Sequence, residues 1–140
     1  MKNVVVGVLV RNGQVLACRR RKDARYPLKW EFPGGKIEPG EHPEETLRRE
    51  LREELSIEFR TAERFHQQEW TYPEGVTDPA HDGTFRVHYY MIRHVLNDPV
   101  NLVFEEIRWV TPAELLAMDI LEGNREAVLL LTGNAHQGCS

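Results

Sequence analysis

Three glutamates near the middle of the chain have types and spacing that suit the binding of divalent cations. Glu50, Glu53 and Glu54 lie at i, i+3 and i+4, so in a helix they occupy one arc. Like charges at this spacing repel each other, and carboxylates beside a buried helix face lose solvent. Mg²⁺ prefers oxygen ligands and would compensate this charge. The alternative is an ordinary glutamate-rich helix face that pairs with the arginines of the same helix.

The segment before these glutamates has the composition of a loop that approaches a ligand closely. Gly34-Gly35 and Pro39-Gly40 are two pairs of chain-breaking residues with a short stretch between them. Glycine lets backbone carbonyls come near a ligand because it has no side chain. Glu41, at the exit of the loop, would point toward the same carboxylates. The loop therefore favours a metal site over a plain helix face.

These residues resemble the Nudix box. Gly35 is followed after five residues by Glu41, and after seven more by the run Arg49-Glu50-Leu51-Arg52-Glu53-Glu54-Leu55-Ser56-Ile57, which matches eight of the nine positions that define the pattern. The exception is Ser56, where the family usually has glycine just past the helix.

The resemblance implies a ligand set and roles for its neighbours. Mg²⁺, with Mn²⁺ as a substitute, would be held by Glu50, Glu53, Glu54 and the backbone carbonyl of Gly34. Glu41 would support the metal site, and Arg49 would orient the glutamates through a salt bridge.

The segment from Trp30 to Glu38 is similar to the one that precedes the box in MutT-type nucleoside triphosphate pyrophosphohydrolases. This similarity implies that Arg20 contacts the nucleotide. Phe32 and Trp30 are aromatic candidates for stacking on the base, although alternating aromatics in a strand more often fill a core. Asn124 resembles a base-reading asparagine, and it is equally suited to cap the last helix.

The implied reaction is magnesium-dependent hydrolysis of a nucleoside triphosphate to a monophosphate and pyrophosphate. The substrates expected are oxidised or modified nucleotides such as 8-oxo-dGTP, or CTP and dCTP derivatives. One alternative is a hydrolase of ADP-ribose, another dinucleotide or a nucleotide sugar. Pro73, sixteen residues beyond the box, resembles a marker of ADP-ribose hydrolases. Another alternative is a nucleotide-sensing Nudix module without catalysis.

The general base stays open, because Val103 occupies the position where MutT-type enzymes place a loop glutamate. The candidates are Glu53, Glu54, Glu105 and Glu106.

The elements that must position these residues can be predicted from local patterns. Two apolar runs, 4–10 and 15–18, flank Asn12-Gly13 and predict a hairpin. Leucines at every fourth position predict a helix over 43–55. Further strands are expected over 57–70, 84–95 and 106–110, mostly antiparallel, with a loop over 73–83. A capping box begins a short helix from residue 111 to about 118, and a last helix is expected from 124 to 131, ended by Gly133-Asn134.

The fold class expected is α+β (mixed α/β), and the resemblance implies a Nudix-type α/β/α sandwich with a mixed sheet. The chain has 140 residues, of which 41% are hydrophobic and 29% charged, as is typical of one globular domain spanning 1–140. A net charge of -4 argues against binding of a nucleic-acid polymer. Two scattered cysteines and no long apolar run favour a cytoplasmic protein without a membrane anchor, as a monomer or homodimer.

Overall fold

The computed structural model describes residues 2–72 and 83–138, and seven strands and three α-helices lie within them. The strands are β1 (Lys2–Arg11), β2 (Gln14–Arg19), β3 (Trp30–Glu31), β4 (Gly34–Lys36), β5 (Glu63–Tyr72), β6 (Gly83–Ile92) and β7 (Glu106–Val110). The helices are α1 (Pro43–Leu55), α2 (Pro112–Leu116) and α3 (Arg125–Gly138), and a short 3₁₀ turn (Glu122–Asn124) precedes α3. The loop predicted over 73–83, Pro73 included, lies outside the described residues except for Gly83. No helix in the described ranges is long and apolar enough to cross a membrane.

The predicted hairpin is present between β1 and β2. Asn12 and Gly13 have φ values of 52° and 75°, and Val10 pairs with Val15 across them. Two consecutive left-handed residues form the turn whose twist matches that of the flanking strands.

The sheet is mixed and is built around β1. β1 runs parallel to β6 from Lys2 to Leu9, and its other edge pairs antiparallel with β4. β5 pairs antiparallel with β6, while β2 pairs antiparallel with β3 and β7. Most pairings are therefore antiparallel, as predicted, but the central one is parallel.

Helices cover both faces of the sheet, which confirms the α+β sandwich. Leu47, Leu51 and Leu55 of α1 are fully buried against one face, beside Val5 and Leu9 of β1. The opposite face packs against α2 and α3, whose buried residues include Leu115, Ala127, Val128 and Leu131. Full burial of a leucine or valine side chain stabilises the fold by about 1.5–3 kcal/mol.

Helix α1 has the predicted bounds. Pro43 is its first residue, and a capping box links His42 with Glu45. The helix ends at Leu55, and Ser56, which caps it, adopts the left-handed conformation with φ 56°.

Some predicted boundaries were wrong. The strand expected over 57–70 begins at Glu63 and ends at Tyr72, because Ile57 and Phe59 are buried by packing beneath α1 rather than by a continuous sheet ladder. The strand expected over 84–95 ends at Ile92, and the short helix ends at Leu116. The last helix continues through residue 133 to Gly138, since a glycine in an exposed helix costs only about 1 kcal/mol and need not end it.

Candidate active site

Two consecutive glycines let β4 approach the carboxylates of α1. A Cβ at Gly35 would collide with the carboxylate of Glu50, and one at Gly34 would collide with the backbone carbonyl oxygen of Val5. The Gly34 N–H donates to Oε1 of Glu54 at 3.1 Å. Two of the three predicted metal-binding glutamates, Glu50 and Glu54, are thus packed against the predicted glycine loop.

The carboxyl group of Glu54 lies in a poorly solvated place that disfavours its ionised form. Burial raises its pKa to about 9, and the nearby charges of Glu50 and Glu31 add to the shift. The pKa of Glu50 is also raised, again mainly by burial, although Arg49 opposes the shift. A buried ionised carboxylate needs compensation, and a bound cation would supply it.

Two arginines of α1, Arg48 and Arg52, are directed away from Glu54. Arg48 donates to the backbone oxygens of Phe59 and Arg60 at 2.6 and 2.7 Å, and Arg52 pairs with Glu58 at 2.8 Å. Both side chains are therefore engaged with the segment that follows the helix. The alternative of an ion-paired helix face therefore applies to Glu50 and Glu53, which pair with Arg49, and not to Glu54.

Arg49 instead ties Glu41 to the carboxylate cluster. Its Nε and Nη2 donate to the two carboxylate oxygens of Glu41, each at 2.9 Å, while Nη1 donates to Oε1 of Glu50 at 2.9 Å. The hydrogen bonds from Arg49 and from the Glu38 N–H lower the pKa of Glu41 to about 2. Arg49 thereby fixes the position of Glu50, while Glu41 contacts the cluster through Arg49.

Glu53 is more exposed than its neighbours. Its side chain is 58% accessible, and its carboxylate lies 3.6 Å from Nη1 of Arg49. Across residues 2–72 and 83–138, no three histidine, cysteine, aspartate or glutamate side chains are grouped closely enough to hold an ion by themselves.

The donor set nevertheless fits Mg²⁺. The close approach that Gly35 permits and the raised pKa of the buried Glu54 carboxyl both suit a cation. Mg²⁺ is commonly held by one or two carboxylates and completes its shell with water and substrate phosphates.

One cleft of about 290 Å³ joins this cluster to the predicted nucleotide-binding residues. Glu54, Gly34 and Gly35 line part of it. Its other lining residues include the three predicted substrate contacts, namely Arg20, Phe32 and Asn124. The size is that of a small-molecule site.

The predicted substrate contacts are held by their neighbours. Arg20 donates through Nη1 to both carboxylate oxygens of Glu31, at 3.1 and 3.2 Å, and through Nε to the carbonyl oxygen of Arg25 at 2.7 Å. Asn124 is buried, and its Oδ1 accepts the N–H of Phe32 at 3.4 Å. It stands directly before α3, where a cap would lie, and it also lines the cleft.

Trp30 and the loop glutamates are placed outside the lining of this cleft. Trp30 is buried, with the guanidinium groups of Arg19 and Arg108 at 5.7 and 5.0 Å from its ring. Glu106 pairs with Arg108 at 2.6 Å, and the cleft is lined by Phe104 rather than by Glu105 or Glu106.

Sequence reasoning missed Glu31, Tyr26 and Phe104, which also line the cleft. A charged residue between the apolar Trp30 and Phe32 was an available signal for Glu31, because alternate residues of extended chain face opposite sides. Tyr26 and Phe104 lie in loops whose course has no comparable local signal.

Comparisons with known proteins agree with this architecture. The model of the NUDIX domain matches residues 1–131. The nucleoside triphosphatase NudI of Escherichia coli O1:K1 is 28% identical over 137 residues, covering 92% of this chain and 95% of that protein. The solution structure of the Escherichia coli ORF135 protein has 26% identity and a TM-score of 0.75, covering 94% of this chain and 86% of that one. The crystal structure of the MutT NUDIX hydrolase from Burkholderia pseudomallei has 23% identity and a TM-score of 0.75, covering 91% of this chain and 95% of that one.

Proposed function

This chain belongs to the NUDIX family of hydrolases, and we propose that it hydrolyses a nucleoside triphosphate to a nucleoside monophosphate and pyrophosphate with Mg²⁺ as cofactor. The observation that carries the proposal is one cleft whose lining includes the Glu54 carboxyl group of α1 together with Arg20, Phe32 and Asn124. In the proposal, the part lined by Glu54 is the phosphate end and the part lined by Arg20, Phe32 and Asn124 is the nucleoside end of a bound nucleoside polyphosphate. The similarity to a nucleoside triphosphatase supports the same substrate class.

The phosphate end of the cleft would hold the cofactor. Glu50, Glu54 and the carbonyl oxygen of Gly34 are its proposed ligands, and Glu53 is a further ligand or the proton acceptor for the attacking water. Mg²⁺ would neutralise phosphate oxygens, stabilise the leaving group and lower the pKa of the attacking water. Arg49 keeps the Glu50 carboxylate in place through its 2.9 Å hydrogen bond.

The nucleoside end would select the base. Arg20 has a guanidinium fork fixed by Glu31, which suits contact with a phosphate or a base edge. Phe32 lines the cleft with an apolar ring, and Asn124 offers an amide. The proposed substrates are oxidised or modified nucleotides such as 8-oxo-dGTP, or CTP and dCTP derivatives.

The test is product analysis over a substrate panel with Mg²⁺. The panel contains the common nucleoside triphosphates, 8-oxo-dGTP, methylated dCTP, ADP-ribose and a dinucleoside polyphosphate, and the products are separated by ion-exchange chromatography. We expect monophosphate and pyrophosphate in equal amounts from at least one triphosphate, and no turnover in EDTA.

Two matched variants locate the activity. Glu53→Gln should reduce kcat by at least about 100-fold, the scale of a lost proton acceptor or ligand. Glu58→Gln removes a carboxylate of the same type that pairs with Arg52 outside the cleft, and it should leave kcat unchanged. Turnover of ADP-ribose or the dinucleotide alone would overturn the proposal in favour of a different Nudix substrate. Binding of triphosphates without cleavage of any panel member would overturn it in favour of a sensing module.

A further inference from the structure

A buried polar network connects the nucleoside end of the cleft to the sheet. The hydroxyl of Tyr89 donates to the carbonyl oxygen of Gly123 at 3.1 Å and accepts from Nδ2 of Asn124 at 2.9 Å. Nε2 of Gln68 donates to the same Gly123 carbonyl at 2.9 Å. The side chain of Tyr89 is fully buried, so these bonds form away from bulk water.

The network favours one orientation of the Asn124 amide. A tyrosine hydroxyl has a single hydrogen, and in Tyr89 that hydrogen is given to Gly123. The hydroxyl can therefore meet Asn124 only as an acceptor, which places Nδ2 toward Tyr89 and Oδ1 toward the N–H of Phe32. If the amide were flipped, the two acceptors Oδ1 of Asn124 and the Gly123 carbonyl oxygen would compete for the one hydroxyl hydrogen, and the buried Phe32 N–H would face a donor and lose its hydrogen bond.

The fixed orientation defines what Asn124 can offer a ligand. One hydrogen of Nδ2 is used by Tyr89 and one acceptor site of Oδ1 by Phe32. One N–H and one acceptor site remain for a ligand in the cleft, which Asn124 lines. This N–H and this acceptor site can bond a base edge whose acceptor and donor lie in the matching order. They mismatch a base edge with the opposite order.

We infer that Tyr89 is a specificity-determining positioning residue, whose hydroxyl sets the amide orientation with which Asn124 reads the nucleobase. The inference rests on the proposed function, because it assigns Asn124 to the nucleoside end. Tyr89 acts through Asn124: its hydroxyl is bonded to Gly123 and Asn124, and Tyr89 is not among the cleft-lining residues.

Tyr89→Phe removes the hydroxyl but leaves the 3₁₀ turn that contains Gly123 attached to the sheet by another hydrogen bond. Gly123 keeps its hydrogen bond from Gln68, and Gln68 in turn is held by His66 at 2.9 Å. Asn124 keeps only the 3.4 Å contact with the Phe32 N–H, which is long for a hydrogen bond, so the amide can rotate. Loss of one net hydrogen bond corresponds to about a threefold to tenfold change in kcat/KM for the base that uses it.

The experiment measures kcat/KM for each nucleoside triphosphate in the wild type and in Tyr89→Phe, Asn124→Ala, and the double variant. We expect the ratio between the best and the worst base to fall about threefold to tenfold in Tyr89→Phe, with the kcat of the worst substrate retained. In the Asn124→Ala background, Tyr89→Phe should change the ratio no further, since the two residues act as one unit.

Tyr90→Phe is the matched control. Tyr90 is the next residue of β6 and packs in the core on the α1 side, so its substitution should leave the base ratio unchanged. A Tyr89→Phe variant that folds and keeps the full wild-type ratio would overturn the inference. An equal loss of kcat/KM for every base would do so too, because it indicates a purely structural role. Absence of triphosphate turnover in the wild type would instead refute the proposed function, so the two failures are distinguishable.

Discussion

The buried carboxyl group of Glu54 gives the metal-free protein a pH dependence that one substitution removes. Its pKa is about 9 in the folded protein and about 4.5 in the ordinary, solvated state. Between these values the folded protein binds one more proton than the unfolded chain. Stability therefore falls as pH rises, by up to about 1.4 kcal/mol per pH unit. Glu54→Gln cannot ionise and keeps an oxygen that accepts the Gly34 N–H.

The expected result is a stability gap that grows with pH. Glu54→Gln should gain in stability relative to the wild type in EDTA as pH rises, and the difference in free energy of unfolding should shift by up to about 2.7 kcal/mol from pH 6 to pH 8. For a domain of this size that change corresponds to a difference in Tm of about 8 °C. Contributions from the other ionisable groups are shared by both proteins and largely cancel in the difference.

The assay is urea or thermal denaturation of both proteins at pH 6, 7 and 8 in EDTA, repeated with Mg²⁺. Added Mg²⁺ should raise the Tm of the wild type at pH 8 more than that of the variant, because the cation binds the ionised carboxylate. Glu58→Gln is the control. Arg52 lowers the pKa of Glu58, so that carboxylate stays ionised from pH 6 to pH 8, and the difference in free energy of unfolding between Glu58→Gln and the wild type should not change with pH. A constant gap for Glu54→Gln would refute the reasoning, since Glu54 would then be ionised without a cation.

Three further substitutions test the geometry of the site and of α1. Gly35→Ala introduces a Cβ that overlaps the Glu50 carboxylate, so we expect about a 100-fold loss of Mg²⁺-dependent kcat with unchanged circular dichroism; retained activity would contradict this. Ser56→Gly relieves a left-handed conformation and should raise the free energy of unfolding by about 0.5 kcal/mol in urea titrations, whereas a decrease would argue against strain there. Arg49→Lys keeps the charge but loses the paired contact with Glu41, so the Mg²⁺ concentration for half-maximal activity should rise at least about tenfold, and an unchanged value would count against a positioning role.

Local rules account for the elements that were predicted correctly from the sequence. The β1–β2 hairpin follows from Asn12-Gly13, and the bounds of α1 follow from Pro43 and the leucine spacing. The parallel pairing of β1 with β6 joins segments far apart in the chain, such as Val4 with Val87, and has no local signal. The first residues of the strand expected over 57–70 were misassigned because burial of apolar residues such as Phe59 does not require a sheet partner.

The candidate site was predictable to the extent that its residues are close in sequence. The spacing of Glu50 and Glu54 and the paired glycines indicate a cation site from the sequence alone. The helical projection could not reveal that Arg48 and Arg52 bond to the segment after α1, because their partners lie outside the helix. Those contacts engage both guanidinium groups outside the carboxylate cluster, and Arg49 is the arginine of α1 that pairs with it.

The two ends of the cleft differ in what holds them in place. At the phosphate end, Glu54 is a buried acid whose ionised form is unfavourable until a cation arrives, so that end is completed only by the cofactor and substrate. At the nucleoside end, Asn124 already has partners for both its amide nitrogen and its oxygen, so its geometry does not depend on metal. Under the proposed function, recognition of the base and activation of the phosphates therefore rest on separate parts of the cleft, and a substrate that spans the cleft would couple them.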